Sequence, residues 1–250
     1  MASAALNTAD RFRIGRVFHD SFAVVGRNFV LCAGLALIFS GLPRFVIQFL
    51  VLKSIVHFVR YSAQHIAFAI TAGLVSLVMA AVLQAALVRV AIEDLNGKRP
   101  GFADCMGTAI LLLLPTIGIA LLTTIGAALA LLLLVVPGVI LFLRWSVAVP
   151  VLVQEREGVF GSITRSTELT KGSRWPLFWI WIIMIVAAMA IQLALVRIMP
   201  TIDPIAAIAL DAVISALVYV LTSIAPAVCY VELRRVKEGA SVEDLAEIFS

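Results

Sequence analysis

The sequence predicts an all-α integral membrane protein: six transmembrane helices, joined by amphipathic helices that lie at the membrane interface. Three observations carry this. Of 250 residues, 62% are hydrophobic and only 14% charged, against roughly 45–50% and 25% in soluble domains. The mean hydropathy is +1.10. The apolar residues are gathered into runs, and about 20 of them in helix cross a hydrocarbon core of about 30 Å. A soluble domain of this size could not cover its surface with so few charges, so lipid is the solvent for much of the chain.

The same composition excludes several functions. The net charge of +4 and pI near 9.3 fit loops held against an anionic leaflet. Their distribution does not suit nucleic acid. Cys32, Cys105 and Cys229 are scattered and have no CxxC partner, which argues against disulfides and zinc. His19, His57 and His65 show no ligand spacing, so neither metal nor cofactor is expected. Walker, GxSxG, GxGxxG and zincin patterns are missing, and the expected class is non-enzymatic.

In chain order, residues 10–27 read as a basic amphipathic helix, capped by Asp10. Ile14, Phe18, Phe22, Val25 and Phe29 form its apolar stripe, while Arg11, Arg13, Arg16 and Arg27 lie mostly off it. Such a helix either rests in the interface, with its arginines on anionic head groups, or packs on protein. The apolar run after it is not followed by an A-x-A-like cleavage site, so the first span, Asn28 to Leu50, is expected to be retained. Residues 51–65 cross to the second span, Ile66 to Val90, and Asn96-Gly97 supplies a turn.

From Thr108 to Val136 the apolar run is too long for one crossing: 29 residues make about 43 Å of helix. Pro115 is the expected break, with an interfacial helix before it and the third span, Thr116 to Val135, after it. Pro137-Gly138 is the expected turn into a short fourth span, Val139 to Val153. A charged elbow follows at Glu155-Arg156-Glu157, then an interfacial helix over 158–172 with Gly172 just past its end. The fifth span, Leu177 to Ile198, is headed by Trp175, Trp179 and Trp181 at head-group level. The sixth runs from Ile205 to Val231, and the tail reads as a short docking helix or a frayed end.

This order suggests one membrane domain over 1–250 built from three helix–hairpin units, 10–92, 100–156 and 158–232. With both termini cytoplasmic, 14 of 19 lysines and arginines fall inside and four (Arg44, Lys53, Arg60, Arg197) outside. Arg144 lies within a span. That bias sets the orientation in a bacterial cytoplasmic (inner) membrane.

Arg144 is the sharpest single signal, because a charge within a span is costly. It stands seven residues past Pro137, and Asp211 stands seven past Pro204, which is about 10 Å of helix in each case. An Arg144–Asp211 pair is therefore expected, with Arg44 joining or competing. The cluster is either fold-locking or part of a polar pocket. Glu155, Ser166, Glu168, Gly172 and Arg174 make up the expected cytoplasmic elbow. Gln48, Gln84 and Gln192 read as interhelix hydrogen-bonding groups, and Gly118 and Gly126 as close-packing positions.

Pro137, Gly138, Arg144, Pro150, Glu155, Ser166, Leu169, Thr170 and Gly172 together resemble the membrane domain of glycerophosphoryl diester phosphodiesterase and its relatives, among them the YciC-like inner-membrane proteins. The match is specific over Pro137 to Trp175. The resemblance implies six helical spans with cytoplasmic termini. It does not imply phosphodiesterase activity, which in the full enzymes belongs to a separate soluble barrel that is not expected here.

The reading that follows is a scaffold or accessory factor linked to membrane lipid or envelope organisation. Its expected partners are anionic lipids and a second protein or a second copy. The alternative is a transporter or lipid-handling permease with a polar cavity near Arg144.

Overall fold

Helix α1 (Ile14–Arg27) opens the computed structural model, which describes residues 12–54 and 63–248. Asp10, Arg11, the middle of the first crossing (residues 55–62) and Phe249 lie outside the described residues. Among the described residues every element is a helix, and six helices are long and apolar enough to cross a membrane. The chain is a multi-pass α-helical membrane protein.

The buried stripe of α1 is Val17, Ser21 and Val24. It lies beside the predicted phenylalanine stripe. Ile14, Phe18 and Val25 are half-buried, while Phe22 and Phe29 are exposed. This is the membrane logic: smaller side chains let helices approach, and large apolar ones face lipid. Asn28 ends α1, its main-chain N–H and its side-chain amide both donating to the Val24 carbonyl.

The first span is α2 (Phe29–Ala36), a wide π-helical turn (Leu37–Gly41) and α3 (Leu42–Ser54). Pro43 has no N–H to give the Phe39 carbonyl, and the wide turn sits directly before it. The second span is α4 (Ala63–Leu95). It is closed by Gly97 at φ +73, where the Lys98 N–H returns to the Glu93 carbonyl at 2.9 Å.

Helix α5 (Phe102–Leu111) stops at Leu112, and α6 (Leu113–Leu133) carries Pro115 in its first turn. The break therefore falls three residues before the proline, which a first turn tolerates. The next turn also differs from expectation. It is made by one extended residue, Leu134, and Pro137-Gly138 lies inside the opening of α7 (Val135–Trp145). Gly138 is needed there because α6 passes too close for a side chain: a Cβ would come within 2.7 Å of the Leu131 main-chain nitrogen. The fourth span bends at Ser146-Val147 and resumes as α8 (Ala148–Glu155). The whole span, Val135–Glu155, is longer than the predicted one.

The elbow turns through Arg156 and Gly158, both at positive φ, into α9 (Gly158–Thr170). Gly172 at φ +93 occupies the predicted place past its end. Helix α10 (Arg174–Ile198), a 3-10 turn (Met199–Thr201) and α11 (Pro204–Ile248) complete the chain. Asp203 caps α11, accepting from the Ile205 and Ala206 N–H groups at 2.8 and 3.2 Å. Among the described residues the tail forms no helix of its own: α11 runs unbroken to Ile248.

Two features of the packing position the site. The tightest core gathers at the end of the bundle that carries Arg27, Asp94, Glu155 and Glu232, hereafter the basic end. There most of residues 81–92, 147–153 and 224–233 are buried. Toward the other end the spans part, and residues such as Ile70, Leu132 and Leu134 are exposed. The second feature is cyclic. Helix α5 packs chiefly on α4, α9 packs on α8 and α7, and α1 packs chiefly on α11. The order short helix, span, span thus recurs three times, and each short helix leans on a span of the unit before it, the first on the last.

Cys105, on α5, is fully buried, and burial pushes its thiol up to about 11. With Cys32→Ala and Cys229→Ala in place, about one Cys105 in a thousand is a thiolate at pH 8. Maleimide labelling of the folded chain is expected to stay slow to pH 9 and to accelerate toward pH 11. Because the folded state favours the protonated thiol, stability falls over the same interval as pH rises. Fast labelling at pH 8 would show that α5 is not docked.

Candidate functional site

A polar cluster joins the first, fifth and sixth spans in the open half of the bundle. Arg44 Nε donates to Asp211 Oδ2 at 2.6 Å, and Gln48 Nε2 donates to the same oxygen at 2.8 Å. On the other oxygen, Oδ1, Arg44 Nη2 stands at 3.4 Å and Ser215 Oγ at 3.4 Å. Gln192 Nε2 on α10 donates to Ser215 Oγ at 3.3 Å. The pairs Arg44/Gln48 and Asp211/Ser215 each sit four residues apart on one helix, so each pair shares a face.

Depth can be counted along both spans. Arg44 is 16 residues past Asn28, about 24 Å of helix, and Asp211 is seven residues past Pro204, about 10 Å. The two counts agree on the half of the membrane away from the basic end. Asp211 is enclosed, its side chain 4% exposed, whereas Arg44 is 43% exposed. Arg44 and Gln48 also line a cleft of about 390 Å³ with Ser40, Ser76 and Tyr219. Tyr219 donates to the Ala80 carbonyl at 3.2 Å, fixing one wall against α4.

Arg144 is not part of this cluster, which corrects the expected Arg144–Asp211 pair. The carboxylate of Asp211 takes Arg44, the residue expected only to join or compete. Arg144 lies in the last turn of α7, next to the bend at Ser146. Its carbonyl accepts from Ser166 Oγ of α9 at 2.7 Å. Its Nε is buried without an acceptor, as is the Nε of Arg174. Counting depth from Pro137 assumed a straight span beginning there; the helix begins earlier, bends after Arg144, and meets the elbow helix instead.

Of the expected elbow residues, Glu155 and Glu168 are brought together at the basic end, around Arg165. Arg165 bridges Glu155 at 3.1 Å and Glu238 at 2.6 Å, with Glu168 at 4.0 Å. Its guanidinium is desolvated by burial, but the attraction of Glu155 and Glu238 outweighs this and holds its pKa above the ordinary value. Tyr230 donates to Glu155 Oε1 at 2.8 Å, and Lys237 donates to the Glu168 carbonyl. Ser166 is buried, and Glu168 is largely exposed.

Of the predicted head-group arginines, Arg11 is outside the described residues. Two others bind protein. Arg16 meets Glu232 at 3.3 Å, and Arg27 grips Asp94 with Nη2 at 2.5 Å and Nε at 3.1 Å. Hydrogen bonding to Asp94 raises the pKa of Arg27. Asn28 Nδ2 adds 2.7 Å to Asp94 Oδ1. Arg13 and Trp175 are exposed.

No protein-family model, curated protein or solved structure matches this chain. Function is therefore argued from the site. Among the described residues no three His, Cys, Asp or Glu gather as metal ligands. The parts the sequence reading missed are Gln48 and Ser215 as partners of Asp211, Tyr230 as a partner of Glu155, and Asp94 as the anchor of α1. The four-residue spacings on the first and sixth spans were the available signal.

Proposed function

We propose that this chain is a non-enzymatic protein of a bacterial cytoplasmic membrane, with both termini cytoplasmic. In this reading it acts as a scaffold or accessory factor in lipid or envelope organisation. The observation that carries it is the use of the enclosed carboxylates. Asp94, Glu155, Asp211 and Glu232 each tie together helices far apart in the chain, so they hold the bundle rather than face a substrate. The lysine and arginine bias supports placing the basic end in the cytoplasm. Trp175, exposed at that end, is the residue offered to the head groups there. The pattern from Pro137 to Trp175 that resembles the phosphodiesterase membrane domain points the same way.

One observation favours a second reading, a lipid-handling permease: the cleft at Arg44, rather than the predicted cavity at Arg144. The two readings part in proteoliposomes. As a scaffold, the purified chain should leave fluorescent-phospholipid flipping and small-solute efflux at the protein-free rate. Flux above that rate, abolished when Ser76→Phe plugs the cleft, would reject the scaffold in favour of the permease.

A further inference from the structure

Helices α10 and α11 follow one another through a tight turn yet do not stay together. Near the turn they touch, through Gln192 and Ser215, and Leu195 and Ala207 are buried there. Toward the basic end α10 leans on α7, where the rings of Phe142 and Trp181 stand 5.0 Å apart. Helix α11 instead keeps to α4 and α1. The wedge left between them is a groove of about 390 Å³, walled by Met184, Ala187 and Ala188 on α10 and by Leu221 on α11, and floored by Phe18 and Phe22 of α1. Its wall on α10 runs from Ile183 to Ile191, about 12 Å of helix.

We propose that this groove holds one acyl chain of a phospholipid from the leaflet at the basic end. The inference rests on the membrane reading, not on the choice between scaffold and permease, and it concerns a different site from the Arg44 cleft. Two considerations select the occupant. Water would find few partners: Thr222 already donates to the Val218 and Tyr219 carbonyls, and the lining is otherwise apolar save for Ser21. A void would forfeit the dispersion contacts of its whole lining.

A flexible chain is supplied by the surrounding solvent and matches the apolar lining. Ser21 adds a polar detail. It lies on the floor, toward the head groups, and its buried hydroxyl has no protein partner. A chain's ester carbonyl is the acceptor available at that depth.

The test uses the full chain in nanodiscs containing a phospholipid with a photoactivatable diazirine on its acyl chain, with adducts located by peptide mass spectrometry. Adducts should concentrate on Met184, Ala187, Ala188 and Leu221, above the level at Leu129 and Leu132 on the exposed face of α6. Ala188→Phe should remove the groove adducts and leave those on α6 unchanged. Thr222→Leu fills the groove from the other wall and serves if the first variant does not fold. Equal labelling of groove and α6, indifferent to both variants, would mean ordinary boundary lipid and would overturn the proposal. So would a dimer in native mass spectrometry whose groove residues take up no lipid label.

Discussion

Arg44→Ala is expected to destabilise the folded chain by about 3–5 kcal/mol, the usual cost of stranding one member of an enclosed ion pair. The two partners are not equivalent. Asp211 is enclosed, and after the substitution only Gln48 and Ser215 remain to solvate it. Asp211→Ala should cost less, about 1–2 kcal/mol, because Arg44 already borders the cleft and its long stem can carry the charge toward the nearer surface. The double variant, Arg44→Ala with Asp211→Ala, should be more stable than Arg44→Ala alone, since no charge is then stranded. Unfolding by SDS titration in mixed micelles measures all three. Equal losses in the two single variants would show that the cleft offers Arg44 no more solvation than the bundle offers Asp211. A double variant worse than Arg44→Ala would show that the pair does not act as a unit.

Gly138→Ala should be the most damaging single-methyl addition, costing about 2–3 kcal/mol. A Cβ at this position meets Leu131 Cγ at 2.6 Å, Cδ2 at 2.7 Å and the main-chain nitrogen at 2.7 Å. A rotamer change can move the leucine side chain but not its backbone, so the α6–α7 hairpin itself must open. Gly126→Ala collides at 2.5 Å with the ring of Trp145, which can pivot, and should cost about 1–2 kcal/mol. Gly107 on α5 has nothing within 4 Å of its would-be Cβ, and Gly107→Ala should stabilise slightly through helix propensity. Thermal unfolding in one detergent ranks the three. If Gly138→Ala is no worse than Gly107→Ala, the close approach of α6 and α7 is wrong.

The spans were legible in the sequence because lipid imposes a length and a composition on every crossing. Their number, the break near Pro115, and the glycines at 97, 126 and 172 all follow from that constraint or from local backbone chemistry. The pairing of Arg144 was not legible. Depth is a one-dimensional count, and partnership also needs the direction a side chain faces and the straightness of its helix. The bend at Ser146 has a local cause, since Pro150 has no N–H to give the Ser146 carbonyl, but a kink's place does not say which way Arg144 then faces. Pro137-Gly138 misled for a different reason. The pair has a turn's composition, but the proline suits a helix's first turn, and the glycine serves the neighbouring helix. On α1 the phenylalanine stripe was legible and its choice between interface and protein was left open; the structure divides the helix, with Val17, Ser21 and Val24 on protein and Phe22 and Phe29 exposed. In lipid, the phenylalanines turn outward.

The docking of α1 on α11 has a consequence for how the protein is made. Arg16 and Glu232 are 216 residues apart, which a ribosome needs about 10–40 s to traverse at 5–20 residues per second. Through that interval the partner of α1 does not exist. The helix needs a holding place, and its two adjacent apolar stripes, with arginines alongside, supply one on the surface of the bilayer. It can wait there by its phenylalanine face until the last span enters the membrane, then seat Val17, Ser21 and Val24 without letting go. The amphipathic character that marks α1 in the sequence thus describes its residence during translation as much as its place in the finished bundle.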